Sequence, residues 1–262
     1  MNQNINEGLF LRKELFLEKL GDWYKYFEPI LSSSEMYDIY QFLQKESKDG
    51  KIIYPFSSNT FKAFKKCKTS NLKLVIIGSD PYPGNYKYEN TNLPHATGLS
   101  FDCSNSSLKK IQPSLEYFWE GVAADFDDSH KEYLTHDLNF LADQGVLLLN
   151  KSLTVQKDKI GSHGKLWIPF IKYFLETVMP LFNGVPILLL GKEAFKLESY
   201  IFFITNPCFK LEHPSYSARN GILWKTNKTF SKINKTLTLN NGENFKINWK
   251  YDRYYSSTGR SI

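Results

Sequence analysis

The stretch Leu74–Tyr82, Leu-Val-Ile-Ile-Gly-Ser-Asp-Pro-Tyr, constrains the fold more than any other part of the chain. A short apolar run that ends in Gly and then presents an acid, a proline and a tyrosine fits a buried parallel strand delivering side chains beyond its carboxyl end. Asp80 precedes Pro81, whose ring keeps the preceding residue out of the helical region, so the carboxylate is aimed rather than mobile. The plainer reading of the same residues is a strand-to-loop turn in which Asp80 caps the next helix.

Three later runs repeat the pattern: Val146–Leu149 ends at Asn150, Pro186–Leu190 at Gly191, and Cys208–Leu211 at Glu212-His213-Pro214-Ser215. Helical stretches such as Leu166–Leu181 lie between them, and strand, helix, strand argues for a parallel sheet with right-handed crossovers. The expected architecture is α/β, with a central, mostly parallel four-stranded sheet flanked by helices. Its strand ends bring Asp80, Asn150 and His213 to one edge, which is where such sheets bind ligands and which raises Asp80 above the capping reading. Further helices are expected over Leu15–Phe27 and Met36–Leu43, separated by Pro29 and Ser32-Ser33-Ser34, and over Phe61–Lys66, Leu115–Asp125, Leu134–Gln144 and around Phe230–Leu237. Ile52–Phe56 reads as a short extended piece, and Pro83–Thr97 as a loop long enough to be functional or mobile.

With 262 residues, 42% of them hydrophobic, one domain over 1–262 is the expectation, its core at about 24–249 and the polar tail 251–262 peripheral. The net charge of +6 suits an anionic partner without requiring one. Cys67, Cys103 and Cys208 form neither a zinc spacing nor a disulfide framework, which fits an intracellular setting, cytoplasm or nucleus. No apolar run approaches the ~18 residues of a membrane span, and Met1–Gly8 lacks a signal-peptide core, so no membrane association is expected.

Asp80, Asn150 and His213 have no Ser or Cys nucleophile beside them, so they do not make a hydrolase triad, and no cluster has metal-ligand spacing. Neither a metal nor a cofactor is expected. These side chains suit a site in which Asp80 orients a water, Asn150 binds a planar heterocycle and His213 donates a hydrogen bond to charge developing on a leaving group. Phe101, after Gly98, is placed either to stack on such a ring or simply to fill the core.

The motifs resemble those of family-1 uracil-DNA glycosylases. Gly78-Ser79-Asp80-Pro81-Tyr82 resembles the family's water-activating motif, Gly98-Leu99-Ser100-Phe101 its base-stacking segment, Gln112-Pro113-Ser114-Leu115 its proline-rich loop and Gly145–Val155 its uracil-reading strand. Ile53-Tyr54-Pro55, Ser162-His163, His213-Pro214-Ser215, Phe230-Ser231-Lys232 and Ile247-Asn248-Trp249 fall in the family's order, so the likeness spans roughly Tyr24 to Trp249. The resemblance implies a monomeric, monofunctional enzyme that flips deoxyuridine out of single- or double-stranded DNA and hydrolyses its N-glycosidic bond. It assigns catalysis to Asp80 and His213. The base would be held by Ser79, Tyr82, Phe101 and Asn150, with Tyr82 filling the space of a thymine methyl and Asn150 pairing with N3–H and O4. DNA would be held by Ser114, Gly191, Lys192, Ser215 and Tyr216.

Several positions depart from the family pattern. Ser79 replaces Gln, Pro83 replaces the motif's His as in a viral branch, and Asn85–His95 lengthens the following loop. Lys192 replaces a small Ser, exchanging a phosphate ligand for a cation. The segment His213-Pro214-Ser215-Tyr216-Ser217 is one residue short and lacks the Leu that fills the vacated stack, leaving Tyr216 either as the wedge or as a surface tyrosine. His163 reads as a residue that holds a loop by hydrogen bonds, His95 has no assigned role, and Lys62–Lys68 reads as a solvated helix face. Two other functions stay open: a glycosylase for another modified pyrimidine, and a relative that binds DNA or protein without catalysis.

Overall fold

A computed structural model describes residues 13–106, 110–128 and 133–251; the polar start and the tail beyond Tyr251, for which a loose attachment was expected, lie outside the described residues. The strands are β1 (Ile53–Tyr54), β2 (Leu74–Gly78), β3 (Asn85–Tyr88), β4 (Thr91–Pro94), β5 (Val146–Asn150), β6 (Val155–Gln156), β7 (Ile187–Leu190) and β8 (Cys208–Leu211). The central sheet has the order β5-β2-β7-β8, and all three of its pairings are parallel. The helices are α1 (13–20), α2 (Tyr24–Leu31), α3 (Ser34–Lys48), α4 (Lys62–Lys66), α5 (Pro113–Asp125), α6 (Asn139–Asp143), α7 (Ile168–Tyr173), α8 (Lys192–Phe195), α9 (Pro214–Asn220) and α10 (Thr229–Asn241).

β2, β5 and β7 are apolar on both faces because both faces are covered. Val75, Ile77, Leu147, Leu149, Ile187 and Leu189 pack into a layer with Trp23, Phe27, Phe64, Phe170 and Phe174. Their neighbours along the strands, Leu74, Ile76, Val146, Leu148, Leu188 and Leu190, pack into the opposite layer with Phe118, Trp119, Phe230 and Leu237. The two-residue period of a strand thus splits one continuous apolar run between two cores. Rings dominate both layers, as in the stacked pair Phe27 and Phe170 with centroids 4.8 Å apart.

Local structure departs from the sequence expectation at four places. Pro83–Thr97 is not an irregular loop: it contains the antiparallel hairpin β3–β4, turned at Glu89 and Asn90 with Glu89 at φ 51°. The helix expected over Leu134–Gln144 shortens to α6, because the Thr135 hydroxyl accepts from the Asp137 N–H, the Asp137 carboxylate from the Asn139 N–H and the Asp102 carboxylate from the Leu138 N–H. Leu166–Leu181 begins in turns, and α7 passes into a π turn over Phe174–Val178 before Pro180. Pro29 lies inside α2 rather than after it, while α3 starts as expected, with the Ser33 hydroxyl accepting from the Met36 N–H.

His163 does hold a loop. Its ring is 1% exposed, Nδ1 lies 2.8 Å from Thr154 Oγ1, and Nε2 lies 2.8 Å from Glu46 Oε2 on α3. Lys51 completes the group with Nζ 2.6 Å from the other Glu46 oxygen. Burial raises the Glu46 pKa, but the hydrogen bonds and charges of Lys51 and His163 together outweigh it and hold the carboxyl below its usual range. His163→Ala leaves this carboxylate and the Thr154 hydroxyl short of a partner, so it is expected to lower stability by about 2–4 kcal/mol in denaturant titration. A loss below ~0.5 kcal/mol, the level of an ordinary surface substitution, would contradict the structural role.

Candidate active site

The register of β2 on β5 sets Gly78 opposite Asn150. The ladder continues past the strand ends, with the Lys151 N–H on the Gly78 carbonyl at 2.9 Å and the Ser152 N–H on the Ser79 carbonyl at 3.0 Å. This clamps the segment that carries Asp80. Ser79 Oγ donates to Asp80 Oδ2 at 2.7 Å, whereas Asp80 Oδ1 is buried without a protein partner. A buried carboxylate oxygen retains a strong demand for a donor, which the N–H or O–H of a bound molecule can meet. Asp80 therefore fronts the site and is not the cap of a following helix: the chain runs on to the hairpin.

Asn150 faces Ser100, whose hydroxyl donates to Asn150 Oδ1 at 2.8 Å. Gly78 is what allows this meeting. A Cβ there would fall 2.6 Å from Ser100 Oγ and 2.8 Å from Asn150 Oδ1. Sequence reasoning gave Asn150 its role but gave Ser100 none, because the contact joins segments fifty residues apart that only the sheet brings together.

Phe101 has a φ of 65°, in the left-handed region that a bulky side chain seldom adopts, at a cost on the order of 1–3 kcal/mol. Its ring stacks on Phe118 (5.5 Å, 24°) and on the imidazole of His213 (5.2 Å, 29°), so it belongs to the core and to the site together. The Tyr82 hydroxyl lies 2.9 Å from Ser114 Oγ on the first turn of α5, and burial pushes its pKa up. Both hydroxyls are thereby held inside the pocket wall.

His213 stands at the N-cap of α9, separated from the end of β8 by the one residue Glu212. Its Nδ1 accepts the Ser215 N–H at 3.1 Å, which leaves the proton of the neutral ring on Nε2. Burial, and secondarily the positive charge of Arg219, lower its pKa to about 4. Arg219 itself donates to Ser215 Oγ at 3.3 Å. Gly191 (φ 87°) makes room for His213, since a Cβ at Gly191 would sit 2.7 Å from His213 Cβ; its own N–H is bound to the Leu211 carbonyl.

Asp80, Pro81, Tyr82, Ala96, Leu99, Ser100, Phe101, Ser114, Asn150 and His213 line one small, partly open pocket. Five segments of the chain, 80–82, 96–101, Ser114, Asn150 and His213, thus meet beyond the ends of β2, β5 and β8, where the sequence led one to expect Asp80, Asn150 and His213. The remaining expected residues, Ser79, Gly191, Lys192, Ser215 and Tyr216, are not in its lining. Lys192 is exposed at the start of α8, Ser215 is half-buried, and Tyr216 is 49% exposed. The buried Lys151 Nζ lies 2.5 Å from Glu193 Oε2, an ion pair that links the end of β5 to α8 and that the sequence did not reveal. His95 stacks on Tyr86 of the hairpin, and Lys65 and Lys66 on α4 are solvated. Among the described residues, no group of three or more His, Cys, Asp or Glu side chains is arranged to hold a metal ion.

Comparison with known proteins gives these features a family. Residues 64–238 match the model of the uracil DNA glycosylase superfamily. The uracil-DNA glycosylase of Mycoplasmopsis pulmonis is 33% identical over 242 residues, which cover 90% of this chain and 100% of that protein. That of Coxiella burnetii is 35% identical over 222 residues, 84% of this chain and 90% of its own length. Among solved structures, mimivirus uracil-DNA glycosylase superposes with a TM-score of 0.71 at 20% identity, covering 84% of this chain and 83% of that one. A mimivirus variant in complex with UGI gives 0.75 at 20% identity, covering 88% of each chain. With a family match over most of its length and relatives aligned nearly end to end, this chain belongs to the uracil DNA glycosylase superfamily.

Proposed function

We propose that the protein is a uracil-DNA glycosylase of the family-1 type, a monofunctional hydrolase that excises uracil and leaves an abasic site for base excision repair. One observation carries the reading: a buried Asp80 oxygen without a protein partner, the Asn150 carboxamide and a neutral His213 converge on one small pocket. An inactive relative has no chemical reason to keep this combination.

The chemistry follows from what each group can do. Uracil in a duplex is out of reach, so the nucleotide is flipped into the pocket. Phe101 stacks on the ring. The Asn150 carboxamide donates from Nδ2 to O4 and accepts N3–H at Oδ1. Asp80, steadied by Ser79, orients a water toward the anomeric carbon and stabilises positive charge on the sugar as the N-glycosidic bond breaks. His213 donates its Nε2 proton in a hydrogen bond to O2, where the negative charge of the departing base collects. A neutral imidazole suits this role because no buried cation has to be maintained. Ser114 and Ser215 hold phosphates, Lys192 adds a cation beside Gly191, and Tyr216 fills the space the base vacates.

The whole chain acts as one catalytic domain and as a monomer, inside the compartment that holds the DNA. No helix among the described residues is long and apolar enough to cross a membrane.

Asp80→Asn and His213→Leu are each expected to slow excision from a uracil oligonucleotide by ~10²–10³ while DNA binding persists, since both groups act on charge in the transition state. A wild-type rate in either variant would remove that residue from catalysis.

The folded pKa of His213, about 4, lies below the unfolded value of ~6.5. The unfolded chain therefore takes up the proton first, and the stability contributed by the neutral ring is lost as pH falls from ~6.5 to about 4. The His213 ring resonance in an NMR titration should stay that of a neutral, Nε2-protonated imidazole down to pH ~5. A midpoint near 6.5 would contradict the neutral donor.

Tyr82 tests the choice of base. The hairpin β3–β4 leads into pocket residue Ala96, and an aromatic displaced by it would admit a C5-substituted pyrimidine; the Ser114 contact instead holds Tyr82 in the wall. Tyr82→Ala should acquire slow thymine excision and lose uracil activity through poorer positioning. Efficient wild-type cleavage of a 5-hydroxymethyl pyrimidine would favour the alternative substrate.

A further inference from the structure

We infer that Ser100 is a positioning residue that fixes which way the Asn150 carboxamide faces, and through it sets discrimination between uracil and cytosine. The inference rests on the base-reading role proposed for Asn150 and goes beyond it by naming what orients the amide.

Discrimination by a carboxamide depends on its orientation. Uracil offers an acceptor at O4 and a donor at N3–H, whereas cytosine offers a donor at its amino group and an acceptor at N3. Turning the amide over exchanges Nδ2 with Oδ1 and matches it to cytosine instead. A free Asn side chain reads neither base exclusively, because the two orientations have nearly the same shape. Something must therefore break the tie.

The Ser100 hydroxyl does so. Its residue is 1% exposed, and its backbone N–H is bound to the Leu148 carbonyl at 3.0 Å, which holds the Ser100 backbone against β5 two residues before Asn150. Its proton goes to Asn150 Oδ1 at 2.8 Å, the one acceptor recorded for it among the described residues. If the amide turned over, Nδ2 would face Oγ and the buried O–H would lose its acceptor, which carries the full desolvation cost of an unpaired donor. In the observed orientation, Oδ1 keeps a second lone pair for N3–H, and Nδ2 is left for O4. The absence of a side chain at Gly78 is part of the device, since a Cβ there would intrude on Ser100 Oγ and Asn150 Oδ1 alike.

The test compares single-turnover excision from oligonucleotides carrying one uracil or one cytosine, for wild type, Ser100→Ala, Ser100→Cys, Asn150→Ala and the double variant Ser100→Ala/Asn150→Ala. Ser100→Ala should lower the uracil-to-cytosine ratio by about tenfold or more, through slower uracil excision and the appearance of cytosine excision. Ser100→Cys, of similar volume but a weak donor, should fall between, and it carries the test if the alanine variant does not fold. In the Asn150→Ala background, Ser100→Ala should have no further effect, because a residue acting through the amide has nothing left to orient. An unchanged ratio in a folded Ser100 variant, with uracil excision slowed but measurable in Asn150→Ala, would overturn the inference alone. Wild-type uracil excision by Asn150→Ala would instead overturn the base-reading role beneath it.

Discussion

The parallel pairing of β2 with β5 is the interaction on which the rest of this structure depends. It buries Leu74–Gly78 and Val146–Asn150 side by side, and its register decides that Gly78, without a side chain, faces Asn150. Two further hydrogen bonds carry the ladder into the loop and hold the backbone before Asp80. A slip of one residue would turn every side chain of the strand to the opposite layer and move the carboxylate out of the pocket. Core packing and site geometry are therefore one constraint. The same residues that split their apolar side chains between two aromatic layers determine where the polar groups emerge.

Burial shapes the chemistry of the site as much as position does. Asp80 and His213 are both drawn out of bulk water, but they are treated differently. The carboxylate keeps one oxygen engaged by Ser79 and the other without a protein donor. The imidazole gives Nδ1 to the Ser215 N–H and is kept neutral by burial, with the Arg219 charge acting in the same direction. An anion next to a neutral donor is the arrangement that suits a reaction in which the sugar becomes positive and the leaving base negative. Phe101, held in an uncommon backbone conformation and stacked on both Phe118 and His213, ties the imidazole to the core.

Much of this was legible in the sequence, for reasons that are specific. β2, β5 and β7 announce themselves as uninterrupted, buried apolar runs and β8 as a shorter, alternating one with Lys210 exposed, and Asp80, Asn150 and His213 follow from where β2, β5 and β8 stop. The hairpin β3–β4 escaped because its strands, Asn-Tyr-Lys-Tyr and Thr-Asn-Leu-Pro, are largely exposed and its turn is Glu89-Asn90 rather than a glycine turn. The helix before β5 came out short because side-chain bonds from Thr135, Asp137 and Asp102 competed with its backbone ladder. Ser100 and the Lys151–Glu193 pair were invisible for a different reason. Each depends on two segments far apart in the chain, and no local pattern marks a hydroxyl or an ammonium that will find its partner only after the sheet has formed.

The central claim is that this pocket reads uracil and breaks its glycosidic bond. The most direct measurement is incubation of the wild-type protein with otherwise identical DNA duplexes carrying a single uracil, cytosine or thymine, followed by alkaline cleavage at abasic sites. The account predicts strand breaks at uracil, with cytosine and thymine left intact. An intact uracil duplex, or equal cleavage at thymine or cytosine, would contradict it.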